Sequence, residues 1–299
     1  MLDTPVCEMA PAKINLHLQV GAKRTDGFHE IESIFQSISL ADWLLVRISE
    51  NFSVTCVNYE LPAENSLTKA YRVFCAKTGF HRGAEVTLIK RIPACAGLGG
   101  ASTDAVALLK ALNRLSDVSL SETELAAAAL EVGSDCPFFI KAGTAFVSGR
   151  GEILESVQSK AGCGLLIFPQ VPSKTEKAYS LLDTYRNVKS EATDEKLLEL
   201  RLGSAERERQ LRALYTAGDF SAWSGSAVSF TNDFETVVFA QHREVAEAKK
   251  ALLKAGADFA LMTGSGSAVF GLFERDTDLQ SAEKKLKTQF RFCESFIFI

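Results

Sequence analysis

The sequence predicts an α+β fold of two domains, and three observations support this. The chain has 299 residues, which corresponds to about two domains of ordinary size. Strand-like and helix-like patterns are mixed along its length, and several strand-like segments precede the first helix-like one, as in a sheet backed by helices. We predict domains at residues 1–161 and 162–299, because GCGLLIFPQVP, from Gly162 to Pro172, is strand-like and opens the second half.

The composition argues against several classes of protein. Lys and Arg total 33 against 37 Asp and Glu, which gives a net charge of −4 and no basic excess of the kind that binds nucleic acid. No apolar run reaches the ~18 residues of a membrane span, and the start lacks the pattern of a signal peptide. We therefore expect a cytoplasmic protein without a nucleic-acid or membrane partner.

Cysteine and histidine spacing does not support a metal site built from protein ligands alone. The seven cysteines are an odd number and contain no Cys-x-x-Cys pair. The four histidines lack the helical spacing of a ligand pair. Reduced thiols are the simplest interpretation.

The first elements are predicted as strands. KINLHLQV, residues 13–20, alternates apolar and polar side chains, which predicts a strand with one buried face. IFQSISL, DWLLVRI and FSVTCV are predicted as further strands, separated by short polar turns. The next segment, NSLTKAYRVFCAKTG, has helical spacing, and Gly79 is predicted to cap its C-terminus.

A glycine-rich loop, ACAGLGGASTD, joins the predicted strand AEVTLIKRIP to the predicted helix DAVALLKALNRL. The first turn of a helix has unpaired backbone N–H groups and the positive end of the peptide dipoles, so it suits an anionic phosphate. Gly97, Gly99 and Gly100 can adopt left-handed dihedrals that bring the backbone close to phosphate oxygens. Ser102 and Thr103 add hydroxyl donors.

Two known phosphate-binding patterns do not fit this loop. The P-loop needs a lysine after its second glycine, and none follows Gly100; the dinucleotide fingerprint needs a glycine where Ser102 stands. The second mismatch argues against a dehydrogenase. The alternative to a phosphate site is a tight glycine turn capped by Ser102 or Asp104, and the loop alone leaves both interpretations open.

Two companion segments accompany the loop: PAKINL at residues 11–16 and TGSGSAVFGLF at residues 263–273. The three ordered motifs resemble those of the galactokinase, homoserine kinase, mevalonate kinase and phosphomevalonate kinase (GHMP) superfamily. Within it, PAKINLHLQVGAKRTDGFHEIESIFQSI, GSDCPFF and NDFE are similar to the members that phosphorylate a cytidine-diphosphate-linked methylerythritol in non-mevalonate isoprenoid synthesis. The resemblance covers nearly the whole chain.

The resemblance implies a GHMP-kinase-like fold with an N-terminal ATP-binding domain, a C-terminal domain and an active-site cleft between them. The implied reaction moves the γ-phosphoryl group of ATP to the 2-hydroxyl of the cytidylated alcohol. Magnesium is expected with ATP, because a divalent ion neutralises charge on the transferred phosphate. The alternatives are another small-molecule kinase of the superfamily and a catalytically silent nucleotide-binding protein on the same scaffold. The oligomeric state is not predicted.

The resemblance assigns catalysis to Lys13 and Asp135. Asp135, in GSDCPFF, matches the family's catalytic aspartate, and Lys13, in PAKINL, matches the lysine that could hold it ionised and lower the pKa of the hydroxyl. Side chains alternate along a strand, so Asn15 lies on the same face as Lys13 and is predicted to bind substrate. The alternatives are a turn-forming aspartate, after a helix with the capping box Ser121/Glu124, and a surface lysine.

The resemblance also implies which residues bind the two substrates. The ATP phosphates are predicted to contact Pro93, Ala94, Cys95, Ala96, Gly97, Leu98, Gly99, Gly100, Ala101, Ser102 and Thr103. The cytidine end is predicted to contact Phe28 and Tyr179 by stacking, His29 by hydrogen bonds to the base edge, and Thr175 by a polar contact. Gly264, Ser265 and Gly266 are predicted to help close the site. Core packing of the two aromatic rings and a solvated His29 are the alternatives.

The sequence departs from the family pattern in the glycine-rich loop. Cys95, Ala96 and Ala101 stand where glycine is usual, and we expect ordinary dihedrals there, because a left-handed conformation costs a side chain roughly 1 kcal/mol or more. Phe28 stands where tyrosine is more usual; it keeps the ring and loses a hydroxyl. The charged stretch from Glu191 to Arg212 is predicted as solvated helix without a functional role.

Overall fold

The computed structural model describes residues 4–190, 205–224 and 228–299. The chain forms two compact units built from interleaved segments. Unit 1 comprises Met1–Ala12, Ser37–Ala94 and Gly99–Ala142, and unit 2 comprises Lys13–Gln36, Cys95–Leu98 and Gly143–Ile299. The α+β class is confirmed by the mixture of helices and sheets, whereas the boundary between residues 161 and 162 stays a prediction. Within the described ranges, no helix has the length and apolar character needed to cross a membrane.

Two long strands contribute residues to both units: β1 (Val6–Lys23) and β2 (His29–Ser49), which pair with each other. The other elements of unit 1 are β3 (Ser53–Cys56), α1 (Ser66–Thr78), β4 (Gly83–Ile89), α2 (Gly100–Leu115), α3 (Glu122–Val132) and α4 (Phe138–Lys141). β4 pairs antiparallel with the C-terminal part of β2 and parallel with β3. Helices α1, α2 and α3 pack against one another.

Unit 2 contains a second, four-stranded sheet. The elements of this unit are β5 (Thr144–Ser148), β6 (Ile153–Val157), β7 (Cys163–Phe168), α5 (Thr175–Ser190), α6 (Ala205–Ala217), a 3-10 helix (Phe220–Ser224), α7 (Glu235–Gln241), α8 (Arg243–Lys254), β8 (Phe259–Met262), β9 (Val269–Phe273), α9 (Asp276–Leu286) and β10 (Phe292–Ile297). The second sheet is antiparallel, in the order β10-β7-β9-β8. The N-terminal part of β2 pairs with β5, and β5 pairs with β6.

Local signals place the helix ends correctly. Asn65 caps α1 through a reciprocal capping box with Thr68, and Gly79 ends the helix at φ 70°. The predicted capping box of α3, Ser121 with Glu124, is confirmed. Each box satisfies backbone N–H groups that a helix end leaves unpaired. Of the charged stretch 191–212, the part from residue 205 is helical in α6, and residues 191–204 lie outside the described residues.

Both faces of β1 are buried, so the predicted single buried face is wrong. His17 is 0% exposed and Gln19 is 4% exposed. Buried polar groups are retained where they find partners, and the partners of this strand come from far along the chain. The Nδ1 atom of His17 accepts a hydrogen bond from the Thr231 backbone at 3.1 Å.

β2 is one continuous strand, whereas the sequence predicts two strands separated by a turn. Asp42, the first residue of the second of these predicted strands, is fully buried within β2. Its Oδ1 atom accepts backbone hydrogen bonds from Arg91 at 2.5 Å and Ile92 at 2.8 Å. Asp42 therefore anchors the chain after β4.

Candidate active site

The glycine-rich loop, Pro93–Thr103, leads into α2. Gly97 and Gly99 are left-handed, at φ 80° and 74°, as the sequence predicts. Gly100 is not left-handed: it begins α2, and a Cβ there would lie 3.1 Å from the Ile92 side chain. The backbone N–H groups of Ser102 and Thr103 donate to the Gly99 carbonyl at 3.1 and 2.9 Å.

Cys95 has φ 54°, so the expectation of an ordinary dihedral at this residue is wrong. Its carbonyl accepts a hydrogen bond from the Ser173 backbone at 3.0 Å, and the next carbonyl, of Ala96, accepts one from Ala268 at 3.1 Å. These two bonds hold the backbone in a conformation that costs a side chain about 1–2 kcal/mol. The same expectation holds for Ala96 and Ala101, which are not left-handed.

Within unit 2, the glycine-rich loop meets the third motif at Gly97. The Gly97 carbonyl accepts a hydrogen bond from the Thr263 hydroxyl at 3.3 Å. Gly264 is left-handed, at φ 55°, and a Cβ there would lie 2.8 Å from the Gly97 carbonyl oxygen. The absence of side chains at both glycines permits this close approach of two backbones.

Lys13 is buried, at 4% exposure, which excludes the alternative of a surface lysine. Its backbone N–H donates to the Leu98 carbonyl at 3.0 Å. Its ammonium donates to the Asn15 side-chain oxygen at 2.6 Å and lies 4.6 Å from the centre of the Phe35 ring. A buried charge needs such partners, so this lysine is fixed in place beside the glycine-rich loop.

Asn15, at 1% exposure, links the first motif to the third. Its side-chain oxygen accepts from the Gly264 backbone at 2.9 Å and from the Thr263 hydroxyl at 3.2 Å, in addition to the Lys13 ammonium. Its amide nitrogen donates to the Ser33 hydroxyl at 2.9 Å. The geometry therefore ties the three motifs of the resemblance together. Substrate binding by Asn15 stays a prediction.

Asp135 lies in the turn between α3 and α4, in unit 1. The next residue, Cys136, is buried, and the Ser102 hydroxyl in the first turn of α2 acts on its thiol, in the direction that lowers the thiol pKa. Burial raises the pKa of the Cys136 thiol to about 11, so the thiol stays protonated at neutral pH. The turn that carries the aspartate therefore lies near the first turn of α2, which is predicted to bind ATP. The predicted pairing of Asp135 with Lys13 stays a prediction.

A second group of predicted residues surrounds His29. The imidazole is 7% exposed, so it is not a solvated loop residue. It stacks on the Tyr179 ring, with the centres 4.8 Å apart and the planes inclined by 23°. Its Nε2 atom lies 2.8 Å from the Asp183 carboxylate. Phe28 is 47% exposed, with the Arg150 guanidinium 4.8 Å from its ring centre, which excludes core packing for this ring.

The remaining predicted residues lie where the turn of the third motif meets the start of α5 in unit 2. The Thr175 and Ser265 hydroxyls are 3.0 Å apart, and Ser173 donates to the Ser265 carbonyl at 2.7 Å. The Gly266 backbone donates to the Thr263 carbonyl at 3.0 Å. The structure thus brings the third motif to the start of α5.

The sequence missed Asn232 as a support of the third motif. Its buried amide donates to the Met262 carbonyl at 2.7 Å and to the Gly264 carbonyl at 2.8 Å, while its oxygen caps the Phe234 backbone at 3.0 Å. Only the resemblance of the segment NDFE gave a signal, and it assigned no role to this residue.

The sequence analysis also missed a buried charge cluster that includes Asp104 of α2. The Lys90 ammonium bonds to both the Asp42 carboxylate and the Asp104 carboxylate, the latter at 2.7 Å. Burial raises the pKa of Asp104 to about 7, and the neighbouring Asp42 carboxylate acts in the same direction. The cluster joins β2, the end of β4 and the first turn of α2.

Within the described residues, no three His, Cys, Asp or Glu side chains cluster so that they could hold a metal ion. Magnesium is commonly held by one or two protein oxygens together with phosphates and water. Magnesium that arrives with ATP stays a prediction.

Comparison with known protein families shows the class of protein to which this chain belongs. The family described as GHMP kinases N terminal domain matches residues 65–143, and the family described as GHMP kinases C terminal matches residues 210–291. Together with the three linked motifs, these matches define a GHMP kinase. Members of this class are kinases with ATP as phosphate donor.

The relatives narrow the assignment. The 4-diphosphocytidyl-2-C-methyl-D-erythritol kinase of Treponema pallidum subsp. pallidum is 42% identical over 288 residues, which is 95% of each chain. The enzyme of that name from Prosthecochloris aestuarii is 37% identical over 94% of each chain. A crystal structure of 4-(cytidine 5'-diphospho)-2C-methyl-D-erythritol kinase matches with a TM-score of 0.78 and 28% identity, over 98% of this chain and 99% of that one. The chain belongs to the 4-diphosphocytidyl-2-C-methyl-D-erythritol kinase family.

Proposed function

We propose that this chain transfers the γ-phosphoryl group of ATP to the 2-hydroxyl of 4-diphosphocytidyl-2-C-methyl-D-erythritol and releases ADP. The observation that carries the proposal is the buried Lys13 ammonium, held by Asn15 beside the glycine-rich loop. Through Asn15, the same network reaches Gly264 of the third motif. A buried cation, Lys13, and a buried amide, Asn15, thus fix the place where the first and third motifs meet.

The reaction forms a bond between the hydroxyl oxygen and the γ-phosphorus while the bond from that phosphorus to the bridging oxygen of ADP breaks. Carbon 2 of the acceptor carries a methyl group as well as the hydroxyl, so the attacking oxygen is crowded and alignment matters. Enzymes of this kind work mainly by positioning and charge stabilisation. In the proposal, Asp135 accepts the proton of the hydroxyl as the bond forms.

Lys13 supplies a positive charge at a fixed position, because its side chain is buried away from solvent. An ammonium near the reacting hydroxyl lowers the pKa of that hydroxyl and stabilises the charge that develops during transfer. Its fixed hydrogen bond to Asn15 makes this charge preorganised. Replacement of Lys13 would therefore cost turnover more than ATP binding.

The glycine-rich loop is proposed to bind the ATP phosphates through its backbone N–H groups and the first turn of α2. Gly97 and Gly99 give the backbone the left-handed conformations that such a cradle requires. Magnesium is proposed to arrive with ATP and to neutralise phosphate charge.

Recognition of the cytidine end is proposed for Phe28, His29 and Tyr179. Base stacking on an aromatic side chain is worth about 1–3 kcal/mol per base, and the exposed Phe28 ring is open to such contact. His29 supplies a polar contact to the base edge. Thr175, one helical turn before Tyr179, is proposed to add a polar contact, and its hydroxyl lies 3.0 Å from that of Ser265.

The proposal is tested by ADP release from the purified chain with MgATP and four acceptors: the cytidylated alcohol, homoserine, galactose and mevalonate. We expect release that depends on the cytidylated alcohol alone. Release with a different acceptor alone would make the chain another GHMP kinase. ATP binding without release for any acceptor would favour a silent nucleotide-binding protein.

A further inference from the structure

One face of α5 presents three polar or aromatic side chains at intervals of four residues: Thr175, Tyr179 and Asp183. Residues four apart lie on the same side of a helix. Tyr179 stacks on the His29 ring, and the Asp183 carboxylate bonds to the same ring at 2.8 Å. Helix α5 therefore contacts the His29 imidazole twice: Tyr179 stacks on the face of the ring, and Asp183 bonds to its edge.

The contact with Asp183 determines which nitrogen of His29 carries a proton. An ionised carboxylate only accepts hydrogen bonds, so Nε2 must be the donor in this pair. In a neutral imidazole the other nitrogen, Nδ1, is then an acceptor. In the described part of the chain, Nε2 is the ring nitrogen of His29 with a hydrogen-bond partner, which leaves Nδ1 for a ligand.

We propose that Asp183 is a positioning residue for base selection: it fixes His29 as an acceptor at Nδ1, and that acceptor selects the 4-amino group of cytosine. The inference rests on the proposed function, which supplies the cytidine diphosphate group. Uracil carries a carbonyl in place of this amino group. An obligatory acceptor therefore favours cytosine over uracil, since two acceptors that face each other cannot form a hydrogen bond.

A purely structural role would make Asp183 one of several anchors of α5. The chain offers a matched control for that role in Arg186, one helical turn further along. The Arg186 guanidinium bonds to the Asp233 carboxylate at 2.8 Å and to the Gly21 carbonyl at 3.5 Å. Its removal loosens the same helix and leaves the His29 pair unchanged.

The experiment compares the wild-type chain with Asp183→Asn, Asp183→Ala and Arg186→Gln. Calorimetric titration with CDP and with UDP gives the ratio of the two affinities for each protein. Steady-state ADP release at saturating MgATP gives KM and kcat for the cytidylated acceptor. Asp183→Asn is the most informative variant. Its amide can donate to Nε2, which places the ring proton on Nδ1 and makes Nδ1 a donor.

We expect the preference for CDP over UDP to fall about tenfold in Asp183→Asn and in Asp183→Ala, as loss of one selective hydrogen bond predicts. KM for the cytidylated acceptor should rise by a similar factor while kcat stays within about twofold. Arg186→Gln should keep the wild-type preference.

Three results would overturn the proposal: a wild-type chain that binds CDP no better than UDP, an unchanged preference in both Asp183 variants, or an equal loss of preference in Arg186→Gln. Failure of the proposed function looks different. If the wild-type chain prefers CDP but releases no ADP with the cytidylated acceptor, the proposed reaction is refuted. The proposed role of Asp183 in base selection then still stands.

Discussion

Replacement of Gly97 by alanine tests the close contact between the glycine-rich loop and the third motif. A Cβ at this position would overlap the Thr263 carbonyl oxygen and lie 3.0 Å from the carbonyl carbon and 3.3 Å from the Gly266 nitrogen. All three are backbone atoms, which cannot rotate away. The left-handed φ of 80° adds about 1–2 kcal/mol for a residue with a side chain, and the overlap adds about 1–3 kcal/mol.

A matched control separates the cost of the left-handed backbone from the cost of the atomic overlap. Gly256 is also left-handed, at φ 98°, but a Cβ there would have nothing within 4 Å, so Gly256→Ala should cost only the backbone term. Urea unfolding of both variants gives the difference in free energy of unfolding, which we expect to be about 1–3 kcal/mol larger for Gly97→Ala. KM for ATP should rise in Gly97→Ala alone. Equal costs in the two variants would refute the close approach of Gly97 to Thr263.

Three further predictions concern other elements. Asp135→Asn should lower kcat by about a hundred- to ten-thousand-fold while ATP affinity, measured by titration, stays unchanged, since only the proton acceptor is lost; undiminished turnover would contradict that role. Because burial raises the pKa of Asp104 from 3.8 to about 7, the folded chain keeps a proton that the unfolded chain loses, so the free energy of unfolding should fall as pH rises from about 4 to 7. Melting temperatures across this range should show a weaker fall in Asp104→Asn than in the wild-type chain, and equal slopes would count against it. Asn65→Ala should cost about 1 kcal/mol in urea unfolding, because the cap of α1 is lost, and no change would show that the cap contributes nothing.

Features that depend on neighbouring residues could be predicted from the sequence. The caps of α1 and α3 and the left-handed Gly97 and Gly99 follow from local backbone chemistry, and the structure has them. Polarity alone misled where the partner lies elsewhere in the chain. His17 was predicted on the polar face of a strand with one buried face, but it is fully buried and accepts a hydrogen bond from the Thr231 backbone.

In the candidate site, too, local features could be predicted from the sequence and links between distant residues could not. The motif positions around Lys13 and the glycine-rich loop were predicted from the resemblance, but the link through Asn15 spans 249 residues to Gly264 and has no local signal. Asp183 was also missed, because its place one helical turn after Tyr179 follows from α5, which the structure shows and the sequence analysis did not predict. The left-handed Cys95 was missed because its compensating bond comes from Ser173.

The central claim, phosphorylation of the 2-hydroxyl, is tested most directly by nuclear magnetic resonance of the reaction products. After incubation of the chain with MgATP and the cytidylated alcohol, we predict a new phosphorus signal of a phosphomonoester, retained diphosphate signals, and splitting of the carbon-2 and methyl carbon signals by phosphorus. Inorganic phosphate in place of the monoester, or splitting at a different carbon, would contradict the account.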